Sequence, residues 1–338
     1  MTSLSHTQQQ GDIVRRRCFV SALVSVPFVS PATAQAKKWT ESLARFVVPA
    51  APGGTLDQLT RLLATEVGKL TGQRVIVENR AGGAGAPARQ YVATGPSDGT
   101  LIFMGQVHEI TRAALVNSVP YAMTKEHFEP ASMIGEVPNV LVVNSKLPVK
   151  SVKDLLDWGK REGRELNYGV GSIGNLQNLA GILFQQQSGL ALKSIPYKGS
   201  GPAIVDLISG QIDLLFETLP ATLAHVASGK LRALAVTSVK RNPALKHVPS
   251  FTESGFPKMQ MTTWYGAFLR TGVSQATTSQ VATAISTALA SPELTTAWSQ
   301  AGMLPPPYVS GERFSEFVST EEKRWSDLVK ATGAKVDE

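Results

Sequence analysis

Three times along this chain an apolar run ends in glycine and is followed at once by a helix-starting residue, and this recurrence limits the possible folds more than any other feature. Pro49-Ala50-Ala51-Pro52-Gly53-Gly54-Thr55-Leu56-Asp57-Gln58 follows the apolar run 46–48. Tyr168-Gly169-Val170-Gly171-Ser172-Ile173-Gly174-Asn175 and Tyr197-Lys198-Gly199-Ser200-Gly201-Pro202 repeat the arrangement. Further runs rich in Val, Ile and Phe occupy 75–77, 101–104, 140–143, 212–216, 231–236 and 264–269. Between them Leu56, Leu59, Leu63, Val67 and Leu70 recur every three or four residues, as do Leu176, Leu179 and Leu183. This spacing predicts helices, the second with Asn178 and Gln185 on its opposite face. Two more helices are expected near 278–289 and 312–330. Continuous apolar strands joined by helices predict an α/β fold of mostly parallel sheets covered on both faces.

A chain of 338 residues exceeds one small core. No fixed-period repeat and no low-complexity linker divides it, so two α/β lobes joined by crossing strands are expected. Lobe I is assigned to 37–138 and 261–338, lobe II to 139–260.

In doubly wound sheets, ligands bind beyond the carboxyl ends of the strands, where such turns gather. Gly53 and Gly54 let a backbone approach a ligand without a Cβ in the way. Thr55 with Gln58 fits a capping box, and the free N–H groups of the following helix form an anion site. The same residues would also serve a turn that merely starts a helix. Gly171, Ser172, Ile173, Gly174 and Asn175 supply the second turn. Tyr197 and Gly199 supply the third, with Pro202 suited to a first helical turn. Three such turns in two lobes predict a cleft lined with amide donors. A charge-assisted hydrogen bond contributes roughly 1.5–3 kcal/mol, and a micromolar complex needs about 8 kcal/mol. A few such bonds at each end of a dicarboxylate suffice.

Composition removes other classes. The single cysteine, Cys18, excludes a disulfide scaffold and zinc sites built on paired thiolates. The formal charge is +7, but Lys and Arg are scattered, which argues against a nucleic-acid surface. Arg15-Arg16-Arg17, the apolar run 19–30 and Ala34-Gln35-Ala36 form the three parts of a secretory signal peptide. That run is too short for a membrane helix, which needs roughly 20 residues. Cleavage after Ala36 is expected, by the general or the twin-arginine route. The product is expected to be exported, with no membrane insertion and as a monomer.

Pro52-Gly53-Gly54-Thr55-x-Asp57, Val77-Glu78-Asn79-Arg80-Ala81-Gly82-Gly83-Ala84-Gly85 and Pro96-x-Asp98-Gly99-x-x-Ile102 resemble the N-terminal signature of the Bug-type solute-binding proteins of tripartite tricarboxylate transporters. The similarity continues through Tyr197-Lys198-Gly199, Asp206-Leu207-x-x-Gly210-Gln211-x-Asp213 and 229–237 to Thr332-Gly333-Ala334-Lys335. The resemblance implies a two-lobed, type II-like periplasmic binding protein. Such a protein closes on a small carboxylate and delivers it to membrane permease subunits. The family often has Asp-Asn where this chain has Glu217-Thr218, which bears on the identity of the ligand.

Among side chains, Asp57 sits where a carboxylate offsets a helix dipole, a structural use before a ligand contact. Glu217 at a strand end would repel a carboxylate and attract an amino or hydroxyl group. Gln106 and His108 follow a strand and are placed at the rim of lobe I. Trp264 and Tyr265 are candidate pocket walls, with core packing equally open to Trp264. By analogy with the family pattern, Arg80 is expected to fix its own loop. Gly83-Ala84-Gly85-Ala86-Pro87-Ala88 matches a dinucleotide fingerprint only formally, because Pro87 interrupts it and no acidic residue ends a strand about 20 residues on. Val170 stands where a nucleophile elbow needs Gly. No histidine has a recognisable catalytic partner or metal spacing. A non-catalytic binder without cofactor or metal is expected. A ligand-presenting sensory component is the alternative, and an exported hydrolase the less favoured one.

Overall fold

The computed structural model describes residues 38–53, 55–115, 121–171, 174–197, 200–304, 306 and 311–332, so the expected leader over 1–36 lies outside the described residues. Strand β1 (Ala44–Val48) leads into α1 (Thr55–Thr71), β2 (Val75–Asn79), α2 (Ala86–Ala93), β3 (Leu101–Gln106) and α3 (Val107–Leu115). A long strand, β4 (Phe128–Asn144), is followed by α4 (Val152–Glu162), β5 (Leu166–Val170), α5 (Leu176–Ser188) and β6 (Leu192–Pro196). Next come α6 (Ser200–Ser209), β7 (Leu214–Thr218), α7 (Leu219–Ala227) and β8 (Leu231–Val236). The chain closes with β9 (Thr262–Arg270), α8 (Gln275–Leu289), α9 (Pro292–Gln300) and α10 (Gly311–Thr332).

Local chemistry explains the element limits. The α1 stripe Leu56, Leu59, Leu63 and Val67 is buried, as its spacing requires. Helix α4 starts at Ser151, whose hydroxyl accepts the Asp154 N–H at 3.0 Å. It stops at Gly163, which takes the left-handed conformation that glycine tolerates.

Strand β4 organises the rest. From Phe128 to Pro138 it pairs antiparallel with β9, which pairs antiparallel with β3, while β3, β1 and β2 are parallel. From Asn139 to Asn144 it pairs antiparallel with β7 and with β8, while β7, β5 and β6 are parallel. One strand therefore runs through both sheets. Among the named strands, parallel pairing falls in two trios, β2-β1-β3 and β6-β5-β7. The antiparallel share, larger than the sequence suggested, arises because the crossing strands enter each trio from the other half.

The crossing is stitched by polar groups. The Asn139 N–H donates to Thr237 Oγ1 at 2.9 Å, and the Thr237 hydroxyl donates to the Met261 carbonyl just before β9. Helices cover both faces of the first sheet. Phe314 of α10 packs against Trp264 and Phe268 of β9. Leu63 and Val67 of α1 join Val281 and Ile285 of α8 in a cluster with Phe46 and Ile102.

Candidate functional site

A cavity of about 590 Å³ lies between the two sheets, at the carboxyl ends of β1, β3, β5 and β7. Six helix N-termini open onto it. They are marked by Thr55 and Leu56 (α1), Gly85 before α2, His108 and Glu109 (α3), Asn175 and Gln177 (α5), Ser200 and Gly201 (α6), and Thr218 before α7. The first N–H groups of a helix lack intrahelical acceptors, and its N-terminus carries roughly half a positive charge. Their convergence favours an anion without many cationic side chains. Arg112 is the one Lys or Arg among the described lining residues.

The first turn is held from within. Gly53, at φ +86°, donates its N–H to Asp57 Oδ2 at 2.9 Å. Asp57 also accepts from Arg61 Nε at 3.0 Å and from the Asn79 side-chain amide at 2.9 Å. Burial alone would raise the Asp57 carboxyl; Arg61, the Gly53 N–H and Asn79 outweigh it and hold the group below its ordinary range. Neither Gly53 nor Asp57 is on the cavity wall, because each is taken by the other. The capping box does not form either. Thr55 is already helical, and Gln58 donates its side-chain amide to the Gly53 carbonyl at 2.9 Å. Thr55 and Leu56 do line the cavity, while Gly54 lies outside the described residues. Arg80 stacks on Tyr91 at 3.5 Å and bonds Glu78, which pins its loop.

From the second half, Gly171, Gly174 and Asn175 line the cavity; Ser172 and Ile173 lie outside the described residues. Asn175 caps α5 by accepting the Asn178 N–H at 2.8 Å. Gly174 donates its own N–H to Asn178 Oδ1 at 3.0 Å. Asn178 is buried rather than on the outer face, because its amide also donates to the Tyr168 hydroxyl at 3.0 Å. Of the third turn, Ser200 and Gly201 line the cavity and Gly199 lies outside the described residues. Tyr197 does not reach it. Its hydroxyl donates to Asp206 at 2.8 Å, and burial together with that carboxylate pushes the phenol up to about 12.

Glu217 and Thr218, at the end of β7, are buried on the cavity wall. Glu217 Oε1 accepts the Thr218 N–H at 2.7 Å and the Thr218 hydroxyl at 3.0 Å, and the Ser200 hydroxyl supplies a further bond. Burial raises the Glu217 pKa against these donors. Gln106 lines the cavity beside its register partner Tyr265, whose phenol is raised first by burial and then by the charge of Glu217. Trp264 is a correction to the expected site. Its indole N–H donates to Glu321 at 3.0 Å, and its ring lies edge-on to Phe314 and Phe317. Successive strand residues face opposite ways, so only one of Trp264 and Tyr265 can reach the cavity.

His108 keeps an edge to solvent, but burial of the ring lowers it to about 4, with the neighbouring Gln177 opposing part of that shift. The imidazole is therefore neutral at physiological pH. Sequence reasoning missed Glu109, Arg112 and Gln177, all on the wall. Glu109 pairs with the buried Arg89, and burial raises its carboxyl to about 7 against that cation. Gln177 follows the Asn cap of α5, and its position in a first helical turn was the available signal. Among the described residues no group of three His, Cys, Asp or Glu side chains is placed to hold a metal ion, and no helix is long and apolar enough to cross a membrane.

Residues 59–334 match the family model described as the tripartite tricarboxylate transporter family receptor, TctC. The chain is 34% identical to Protein BugT of Bordetella pertussis (strain Tohama I), over 86% of this chain and 90% of that one. Among solved structures it resembles R. palustris Rpa4515 with adipate, at a TM-score of 0.81 and 32% identity, covering 88% of this chain and 100% of the other. It also resembles MatC from Rhodopseudomonas palustris with bound malate, at a TM-score of 0.76 and 25% identity, covering 86% and 100%.

Proposed function

The chain belongs to the tripartite tricarboxylate transporter receptor family, and from that premise we propose that it is an exported, non-catalytic binder of a small carboxylate. It carries the ligand to the permease subunits of such a transporter, acts as a monomer in the periplasm, and loses its leader after about Ala36. The observation that carries this reading is the convergence of six helix N-termini on one cavity with a single Lys or Arg among its described lining residues. The carboxylate ligands named for Rpa4515 and MatC support it. Thr55, Gln106, Gly171, Gly174, Asn175, Ser200 and Thr218 form the wall that meets the ligand, with Gly54, Ser172, Ile173 and Gly199 assigned to the same turns by sequence. Glu217 holds Ser200 and Thr218 in place. The two halves, 37–138 with 261–338 and 139–260, are lobes that close on the ligand. In support, β4 changes partners between Pro138 and Asn139, and β9 begins at Thr262.

Calorimetry and thermal unfolding of the chain from residue 37, against mono-, di- and tricarboxylates, test this. At a hundredfold excess over Kd a ligand adds about 2.7 kcal/mol, enough to raise the Tm by roughly 4 °C. No heat and no shift with any carboxylate would overturn the reading.

A further inference from the structure

Arg112, in the second turn of α3, is half-buried on the cavity wall, and among the described residues its guanidinium has no hydrogen-bond acceptor and no ion-pair partner. Its natural partner would be Glu109, three residues earlier on the same helix face. Glu109 is already taken. Its carboxylate bonds Arg89 of α2, a side chain only 2% exposed, so the charge of Arg112 acts on Glu109 without a bond. The only other Asp or Glu among the described lining residues is Glu217, at the end of β7 in the second sheet, where Thr218 and Ser200 supply its hydrogen bonds. With Glu109 ionised or protonated, Arg89, Glu109 and Arg112 together carry net positive charge, and Arg112 is the cation that meets the cavity. A helix side chain leans toward the N-terminus of its own helix, and α3 begins at the cavity, so the guanidinium is aimed back at that space.

We propose that Arg112 pairs with one anionic group of the ligand while the N-termini of α5, α6 and α7 hold the other, so that a single cation makes this cavity select dianions over monoanions. This rests on the carboxylate reading above and names a charge class within it. A helix N-terminus offers roughly half a unit of charge, spread over N–H groups that any anion can share. A guanidinium offers a full charge and a planar fork of donors that matches a carboxylate. A ligand whose second end is uncharged would leave that partly desolvated cation without its counter-charge. The two ends of the cavity therefore differ in kind: one is built from main-chain dipoles and the other from a side-chain ion.

The test is calorimetry with diacids and their half-amides, which keep length and shape and lose one charge: succinate and succinamate, glutarate and glutaramate, adipate and adipamate. At the preferred length the diacid is expected to bind roughly 10- to 100-fold more tightly than its half-amide. Arg112→Gln should weaken the diacid by a similar factor and bring the ratio to within about threefold. Arg112→Lys, which keeps the charge and loses the fork, should fall between the two. A loss of packing alone would weaken both ligands alike and leave the ratio in place. Urea unfolding establishes that each variant folds, and Arg112→Met, also a good helix former, serves in the same way if Arg112→Gln does not. A wild-type ratio near one at every length overturns this inference alone. So does a ratio that survives loss of the cation, which would mean that main-chain amides hold both ends of the ligand. Failure of every carboxylate to bind overturns the carboxylate reading and takes this inference with it.

Discussion

The turn after β1 and the turn after β5 solve one problem with different chemistry. In each, a left-handed glycine gives its N–H to a side chain of the following helix: Gly53 to Asp57, and Gly174 to Asn178. The Asp57 latch is ionic, tied to Arg61 and Asn79 at a half-exposed edge. The Asn178 latch is neutral and buried against the Tyr168 hydroxyl. Only the second glycine remains on the cavity wall. One side of the cleft is therefore set by charges that acid can remove, and the other by amide groups that do not titrate.

Removing each latch sharpens this contrast most. Asp57→Ala takes the acceptor from the Gly53 N–H and from Arg61 Nε, while the Asn79 amide keeps the Ala50 carbonyl, and a loss of about 3 kcal/mol is expected by urea unfolding. Asn178→Ala removes two neutral bonds, while Tyr168 keeps a contact with the Asn178 carbonyl, so about 1–2 kcal/mol is expected. Equal losses would mean that charge is not what separates the two turns. The second effect is smaller and depends on pH. The Asp57 pKa in the folded chain lies below the unfolded value near 3.8, so its contribution is present above that pH and lost as pH falls through the folded value. Acidification below about 3.8 should thus speed exchange of the Gly53 amide, relative to its intrinsic rate, without a matching change at Gly174. Parallel loss at both amides would indicate global unfolding instead.

What the sequence revealed divides along similar lines. The three turns were legible because glycine clusters after apolar runs have few other uses, and α1 because its leucine stripe admits one face. The first half of β4 was not legible, since Pro130, Gly135 and Pro138 break its apolar pattern and its pairing with β9 carries bulges there. The cavity-facing member of the Trp264-Tyr265 pair was equally hidden. Alternation says that the two differ, but only the packing of α10 against Trp264 says which is covered. Glu109, Arg112 and Gln177 were missed for a related reason. Polar residues in a first helical turn look alike until the opposite half shows which of them point into shared space. The capping box was read from a valid pattern, but Thr55 is already inside the helix and the Gln58 side chain turns to the Gly53 carbonyl instead.

The smallest expected effect concerns Gly53 itself. A Cβ built there meets no protein atom within 4 Å, so within the protein itself the position needs only its backbone angle. Gly53→Ala should cost about 1–2 kcal/mol through the left-handed conformation alone. Ligand affinity of the folded variant should change by less than about threefold, because Thr55 and Leu56, two and three residues later, make the wall. A tenfold loss of affinity at unchanged stability would reverse this assignment. It would return Gly53 to the binding surface and make its bond to Asp57 a feature of the unliganded turn, exchanged for the ligand on binding.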